Sequence, residues 1–266
     1  MASTGSTGPM AGRVALICGA GEGIGRACAT VLAREGASVV VAARTEDRLR
    51  RLADEVAADT GGRVLAVPVD LSDVANGAML VDTTIAAFGR IDAVVNVFTS
   101  SGTRGRIENA DWDGYRRAFE LNVVATMEIS RAAAAHMHGN GGAIVQISTL
   151  GVHSMQEQQA AYTATKSAMM VASFTMAREV GRHGVRVNVV TPGYVTGDDL
   201  DRMWAGIASR TGADPADVSA KAAKGAALKR HVDPVDIAEA VSFLVSDRGR
   251  NVTGIELRVD AGQWVG

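Results

Sequence analysis

Seven short runs of β-branched and small apolar residues recur along the chain with longer amphipathic stretches between them, and this alternation restricts the fold more than any other feature. The runs are Val14–Cys18, Ala37–Ala43, Val64–Val67, Ala93–Val97, Ala143–Ile147, Val185–Val190 and Ile255–Val259. Helical periodicity marks Arg26–Glu35, Glu46–Ala58, Trp112–His138, Ala160–Arg182 and Pro234–Ser246 among the intervening segments. Strands alternating with helices close as right-handed βαβ units, with the helices covering a parallel sheet. Strands covered on both faces need no polar side, and these runs are apolar throughout. The expectation is an α/β fold: a single doubly wound Rossmann-type domain over residues 11–266, with a seven-stranded parallel sheet.

Two segments fall outside that rhythm. Residues 1–10 are small and polar and read as a disordered tail. Gly197–Arg230 contains no strand and follows the sixth run, so it leaves from the carboxyl edge of the sheet, where open α/β folds bind ligands. It reads as a lid-like insertion over the substrate (197–230), the alternative being a pair of ordinary surface helices.

Charge and apolar content narrow the functional classes. A formal net charge of -2 offers no electrostatic case for nucleic acid or a membrane surface. The longest apolar runs are strand length, far short of a bilayer span, and no signal-peptide pattern opens the sequence. Cys18 and Cys28 read as buried thiols in a reducing compartment, so the expected location is cytoplasmic. No metal site is expected: His136 and His138 lie two apart on a helical segment and face different sides.

The first run leads into Cys18-Gly19-Ala20-Gly21-Glu22-Gly23-Ile24-Gly25 and then a helix. Glycines there allow a tight turn and bring backbone N–H groups against a pyrophosphate at a helix N-terminus. Gly19, Glu22, Gly23 and Ile24 are the candidate cofactor contacts of this turn. After the second run stands Arg44, where an NAD-selective site offers an acid to the ribose hydroxyls. A guanidinium there suits a 2′-phosphate and favours NADP(H) over NAD(H); stacking on adenine and simple solvation are the alternatives, and Glu22 weighs against a phosphate. Asp70, followed by Leu71, is a candidate acceptor for the adenine amino group or else a helix cap.

Tyr162 and Lys166 stand four apart on one helical face, which brings their Cβ atoms to roughly 6 Å. A free phenol titrates near 10, and a neighbouring ammonium lowers it toward a usable acid or base. Thirteen residues before Tyr162 lies Thr149, beside Ser148, at the end of the fifth run. A hydroxyl there can hold a substrate oxygen as charge develops on it. Asn122 is polar in an apolar stretch: it is a candidate anchor for a water linking Lys166 to solvent, or an asparagine bonded to backbone in a helix irregularity.

Over Arg13–Gly262 these residues resemble the short-chain dehydrogenase/reductase family. The glycine turn is similar to its Thr-Gly-x-x-x-Gly-x-Gly with Cys18 for Thr, and Asn122, Thr149, Tyr162 and Lys166 fall on its Asn, Ser, Tyr and Lys. Pro192-Gly193-Tyr194-Val195 resembles its segment against the nicotinamide amide, which implies cofactor contacts from Pro192, Gly193 and Val195. The resemblance implies an oxidoreductase that interconverts a ketone and a secondary alcohol, assembled as a homotetramer or dimer. Tyr162 would be the general acid/base, Lys166 would hold the ribose hydroxyls and lower the phenol pKa, Thr149 would steady the substrate oxygen, and Asn122 would complete the relay. Four departures stand out. Asn-Asn-Ala-Gly reads Asn96-Val97-Phe98-Thr99, keeping Asn96 as a cofactor contact but losing the glycine; Thr149 replaces serine, with Ser148 as the fallback; Gly197 replaces a threonine, with Thr196 beside it; Cys18 replaces threonine. His153, Met155, Gln156, Tyr194, Met203 and Trp204 are expected around the nicotinamide and suggest a mostly apolar small-molecule substrate with one or two polar handles. Rival readings are a redox sensor that binds the nucleotide without turnover, and an isomerase or dehydratase on the same scaffold.

Overall fold

A computed structural model of the protein describes residues 8–102 and 104–265. Its strands are β1 (Val14–Cys18), β2 (Ser38–Ala43), β3 (Val64–Pro68), β4 (Ala93–Asn96), β5 (Gly142–Ile147), β6 (Val185–Pro192) and β7 (Glu256–Val259). All are parallel, in the order β3-β2-β1-β4-β5-β6-β7. The order reverses between β1 and β4, and a ligand crevice is expected beyond the carboxyl ends of the strands at such a switch point.

Period-2 alternation sends successive residues of each strand into two separate cores. Ala15, Ile17, Val39, Val41, Val95 and Val145 pack with Leu32, Leu49, Val56, Ile237 and Leu244. These come from helices α1 (Ile24–Arg34) and α2 (Glu46–Thr60) and from a late helix, Pro234–Val245. On the other face Leu16, Val40, Val94, Ile144 and Val187 meet Leu80, Ile129, Met137 and Met176, carried by α3 (Ala75–Phe88), α5 (Thr126–Met137) and α7 (Ala160–Val180). Each fully buried Leu or Ile side chain contributes roughly 1.5–3 kcal/mol. Both faces need apolar cover, which is why the strands read as continuous apolar runs. Burial also disfavours the thiolate of both cysteines: Cys28 is pushed up to about 12, and Cys18 moves in the same direction.

The structure revises two sequence expectations, for the helix over Trp112–His138 and for the tail, and gives form to a third segment. The single helix expected over Trp112–His138 is three pieces: α4 (Trp112–Phe119), a π-helical segment Glu120–Ala125, and α5. The strand-free stretch Gly197–Arg230 is largely helical, forming α8 (Asp198–Thr211) and α9 (Pro215–Gly225). The expected tail reaches into the described part of the chain. Residues 1–7 lie outside the described residues, while Met10 is fully buried in the first core and its N–H donates to Glu35 O at 3.0 Å. The short helix α6 (Gly151–Ser154) follows β5, and Pro234–Val245 is α10.

Candidate active site

The turn after β1 fits between the neighbouring strands only because it is made of glycine. Gly19 has φ +87°, and a Cβ on it would come within 2.4 Å of Phe98 N. A Cβ on Gly25 would meet Ala20 Cα at 2.7 Å, so α1 packs directly on the turn. Cys18 O accepts from both Val97 N and Phe98 N, tying the turn to the loop after β4. Gly21 and Gly23, by contrast, face open space. The N-cap Gly23 supplies no side-chain bond to α1, and of the first-turn N–H groups that of Arg26 is taken by Gly21 O at 2.9 Å. A helix N-terminus with free N–H groups and no Cβ in front of it suits a diphosphate.

The adenine-end candidates are placed as follows. Glu22 is bound by Arg26, which also donates to Glu55 at 2.6 Å. Arg44 is exposed at the end of β2. Asp70 Oδ1 accepts from Ser72 N at 3.0 Å. That bond, together with Ser72's side chain and the nearby Arg44, holds the carboxyl below its ordinary value. Leu71 is buried. Asn96 turns inward: its Nδ2 donates to Gln146 Oε1 at 2.9 Å and Ser130 Oγ at 3.2 Å. The side chain of this candidate cofactor contact therefore belongs to a core network between β4, β5 and α5.

At the carboxyl end of β5 the structure gathers most of the remaining candidates. The half-buried Tyr162 stands in the first turn of α7, and the hydroxyls of Thr149 and Thr99 bear on its phenol. Burial pushes the phenol up, and the two hydroxyls oppose that rise. Thr149 Oγ1 accepts from Gly151 N at 3.2 Å, leaving its own proton for the phenol or a ligand. Ser148 is buried with its hydroxyl unpartnered among the described residues. Lys166 is one helical turn on, but its ammonium donates to Ile147 O at 2.8 Å. Burial brings it down to about 8. The ammonium is thus held at the end of β5, one helical turn from the phenol it is expected to lower.

Asn122 sits in the π-helical segment, fully buried. The extra residue of a π-turn displaces the helix from its regular face, a device frequent at functional sites. Its Oδ1 accepts from Ser100 N at 2.8 Å and Thr99 Oγ1 at 3.2 Å. Its Nδ2 donates to Ser100 O at 2.8 Å and Thr165 Oγ1 at 2.9 Å. Asn122 is thus bonded to backbone in a helix irregularity and pins the loop after β4 to α7. Thr99, which drew no attention as a site residue, is brought into the cluster by this tie. Its only signal in the sequence is the missing glycine.

The segment after β6 is firmly seated. A Cβ on Gly193 would strike Gln263 Oε1 at 2.3 Å, and Tyr194 N donates to the same oxygen at 2.8 Å. Pro192 closes β6, and Val195 pairs with Val232 in an isolated bridge. Thr196 Oγ1 is taken by Asp233 at 2.7 Å, and Gly197, with φ 131°, starts α8. Of the residues expected around the ligand, Gln156, Tyr194 and Met203 line a cleft of about 580 Å³ between the loop before α7 and α8. Trp204 is buried beneath α8, edge-on to Tyr194 and stacked on His231. Met155 is largely exposed. His153 instead pairs with Glu256 on β7 at 2.8 Å. The cleft also carries Arg104, Arg202 and Arg210 with Glu157 and Asp199, so it is more polar than the sequence suggested.

This arrangement has close counterparts. A family model described as enoyl-(acyl carrier protein) reductase matches residues 19–263. The chain belongs to the short-chain dehydrogenase/reductase family. It is 34% identical to a trans-4-hydroxycyclohexanecarboxylate dehydrogenase of Sinomonas cyclohexanicum, over 97% of this chain and 95% of that one. Among solved structures, L-sorbose reductase of Gluconobacter frateurii, complexed with NADPH and L-sorbose, superposes with TM-score 0.89 and 31% identity, covering 94% of this chain and 96% of that one. An NAD⁺-bound xylitol dehydrogenase superposes with TM-score 0.87 and 25% identity, over 94% and 98% of the two chains. This family member is an NAD(P)-dependent oxidoreductase that acts on small molecules, moving hydride between an alcohol carbon and the nicotinamide. No helix among the described residues is long and apolar enough to cross a membrane.

Proposed function

We propose that Tyr162 is the general acid/base for interconversion of a ketone and a secondary alcohol, with Thr149 holding the substrate oxygen beside it. The observation that carries this reading is that the first turn of α7 brings Tyr162 to the carboxyl end of β5, where the Lys166 ammonium is fixed on Ile147 O at 2.8 Å and the Thr149 hydroxyl keeps its proton free. A substrate oxygen bridging the phenol and that hydroxyl would receive the phenol proton while Thr149 donates to the charge developing on it. A bound nicotinamide supplies or accepts the hydride. Lys166 holds the ribose hydroxyls with its buried ammonium, and Asn122 keeps the loop and α7 in register.

At the adenine end, the exposed Arg44 and the neutralisation of Glu22 by Arg26 favour NADP(H) over NAD(H). The turn Gly19–Ile24 takes the diphosphate, Asp70 and Leu71 border the adenine, and Pro192, Gly193 and Val195 border the nicotinamide. For the substrate, the cleft beside α8, where Met203 and Tyr194 lie with Arg104, Arg202 and Arg210, suits a compact ketone that carries a polar or anionic group. An alicyclic hydroxy acid of the kind named for the Sinomonas relative is of this type. Residues 197–230 act as its lid. A cytoplasmic homo-oligomer, tetramer or dimer, completes the reading; two buried free thiols are compatible with that compartment.

The test is NADPH oxidation with a panel of cyclic ketones, including 4-oxocyclohexanecarboxylate. Tyr162→Phe is expected to lower kcat by roughly 10²–10⁴-fold while still binding NADPH. A Tyr162→Phe variant that retains parental turnover would end this assignment.

A further inference from the structure

The cleft between α8 and the loop before α7 carries charges that do not cancel. Asp199, Met203, Gly206 and Arg210, three or four apart, bring one face of α8 to it, and Arg104 and Glu157 line it as well. We propose that Arg210, assisted by Arg104, forms an anion-binding subsite that selects ketones and alcohols bearing a carboxylate. The inference deepens the oxidoreductase reading and rests on this cleft being the one that holds the substrate. Gln159, the N-cap of α7, lines the cleft less than one helical turn ahead of Tyr162. A ligand whose carbonyl reaches the phenol therefore has its remaining length in this space of about 580 Å³.

Each acid of the cleft already has its cation. Glu157 is held by Arg106 at 3.0 Å, and Asp199 by Arg202 on the next turn of α8. Arg104 and Arg210 form no ion pair and no side-chain hydrogen bond among the described residues. Two guanidinium charges are thus left over in one cleft of a chain whose formal net charge is -2. Side chains of a helix lean toward its N-terminus, and Arg210 does so: a Cβ on Gly206 would lie 3.7 Å from Arg210 Nη1. The guanidinium lies back over the bare backbone of Gly206, on the cleft face. A cation in the last turn of a helix satisfies the macrodipole from any face; this one is turned to the cleft.

A neutral donor joins the two cations. Gln159 Nε2 donates to Gln156 Oε1 at 3.0 Å, and Gln156 Nε2 donates to the Tyr194 hydroxyl oxygen at 3.1 Å. That hydroxyl accepts in this series, and its own proton has no acceptor among the described residues. Trp204, edge-on at 5.0 Å, fixes the Tyr194 ring. The uncommitted groups are therefore two guanidinium forks and a phenol proton. A carboxylate is planar and accepts only, so it can take a guanidinium through two parallel bonds and a phenol proton besides. A neutral amide of the same shape draws nothing from the charge.

Two ligands of one shape separate charge from fit: 4-oxocyclohexanecarboxylate and its carboxamide. Their binding is read on the NADP⁺-saturated protein, which cannot reduce them, from the fluorescence of the chain's three tryptophans, of which Trp204 packs on Tyr194. The parent is expected to bind the acid at least about tenfold tighter than the amide. Arg210→Gln is expected to weaken the acid roughly tenfold and leave the Kd of the amide unchanged, and Arg104→Gln to weaken the acid by a smaller factor. Equal binding of the two ligands by the parent, no binding of the acid, or an Arg210→Gln protein that keeps the parental preference or loses both ligands alike overturns the proposal. Parental turnover by Tyr162→Phe would remove the acid/base assignment instead and leave the charge preference standing.

Discussion

At the scale of single residues the site is a competition for a few charges and protons. Lys166 shows the energetic side of it. Its ammonium is fully buried against one carbonyl and brought down to about 8, against an ordinary value of 10.5. Between those two values the unfolded chain binds a proton that the folded protein does not, so this group's contribution to stability rises as pH rises from 8 to 10.5. Below 8 both states are charged and the folded state bears the whole desolvation cost, on the order of 3 kcal/mol. Lys166→Met is therefore expected to raise the Tm of the cofactor-free protein most at pH 7, and the gap to the parent should close as pH approaches 10.5. A gap independent of pH would show that the folded lysine titrates at its ordinary value, as an unburied one does. The same buried charge is what makes the residue fit to receive ribose hydroxyls, since no water competes for it.

Among the elements, the π-helical turn and the α8–α9 pair position the chemistry. The π-turn places Asn122 where both ends of its amide bond the Ser100 backbone, and through that tie it holds the loop after β4 against α7. The pair α8–α9 is fastened through Trp204, packed among Tyr194 and His231, while the outer side of α8 lines the cleft with Met203 and Arg202. If these helices are a lid, freeing their anchor should loosen substrate binding without touching the cofactor. Trp204→Ala is expected to raise the ketone KM about tenfold with NADPH affinity unchanged, alongside a stability loss of about 3–5 kcal/mol for the emptied ring site. Equal weakening of NADPH would mark α8 as part of the cofactor site.

Across the whole molecule, the adenine-end candidates Glu22, Arg44 and Asp70 follow the carboxyl ends of β1, β2 and β3, while Tyr162 and Lys166 come from α7, after β5 on the other side of the switch point between β1 and β4. Cofactor choice is a property of that edge. Arg44 follows β2, Asp70 follows β3, and Glu22, after β1, is drawn off by Arg26 and Glu55. One exposed cation thus faces one low-titrating carboxylate at the adenine end. A fluorescence titration is expected to give NADPH at least a tenfold lower Kd than NADH, consistent with one charge-assisted phosphate contact of about 1.5–3 kcal/mol. Arg44→Asp should reverse the order. NADH binding as tightly as NADPH in the parent would refute the preference.

The chain's own pattern determined the seven strands, their parallel arrangement and the glycine turn, because period and β-branching are local properties and βαβ handedness follows from chirality. It also placed Tyr162 and Lys166 on one helical face, and it indicated Thr149 by its distance from the tyrosine. The tertiary structure decided which partner each polar group took. Asn96 was drawn into the core by Ser130 and Gln146, His153 by Glu256, and the Lys166 ammonium by a carbonyl on a neighbouring strand. The break at residues 120–125 and the tie of Thr99 to Asn122 were settled in the same way. Those partners lie far apart in sequence, and a hydrogen bond goes to whichever group packing brings within about 3 Å.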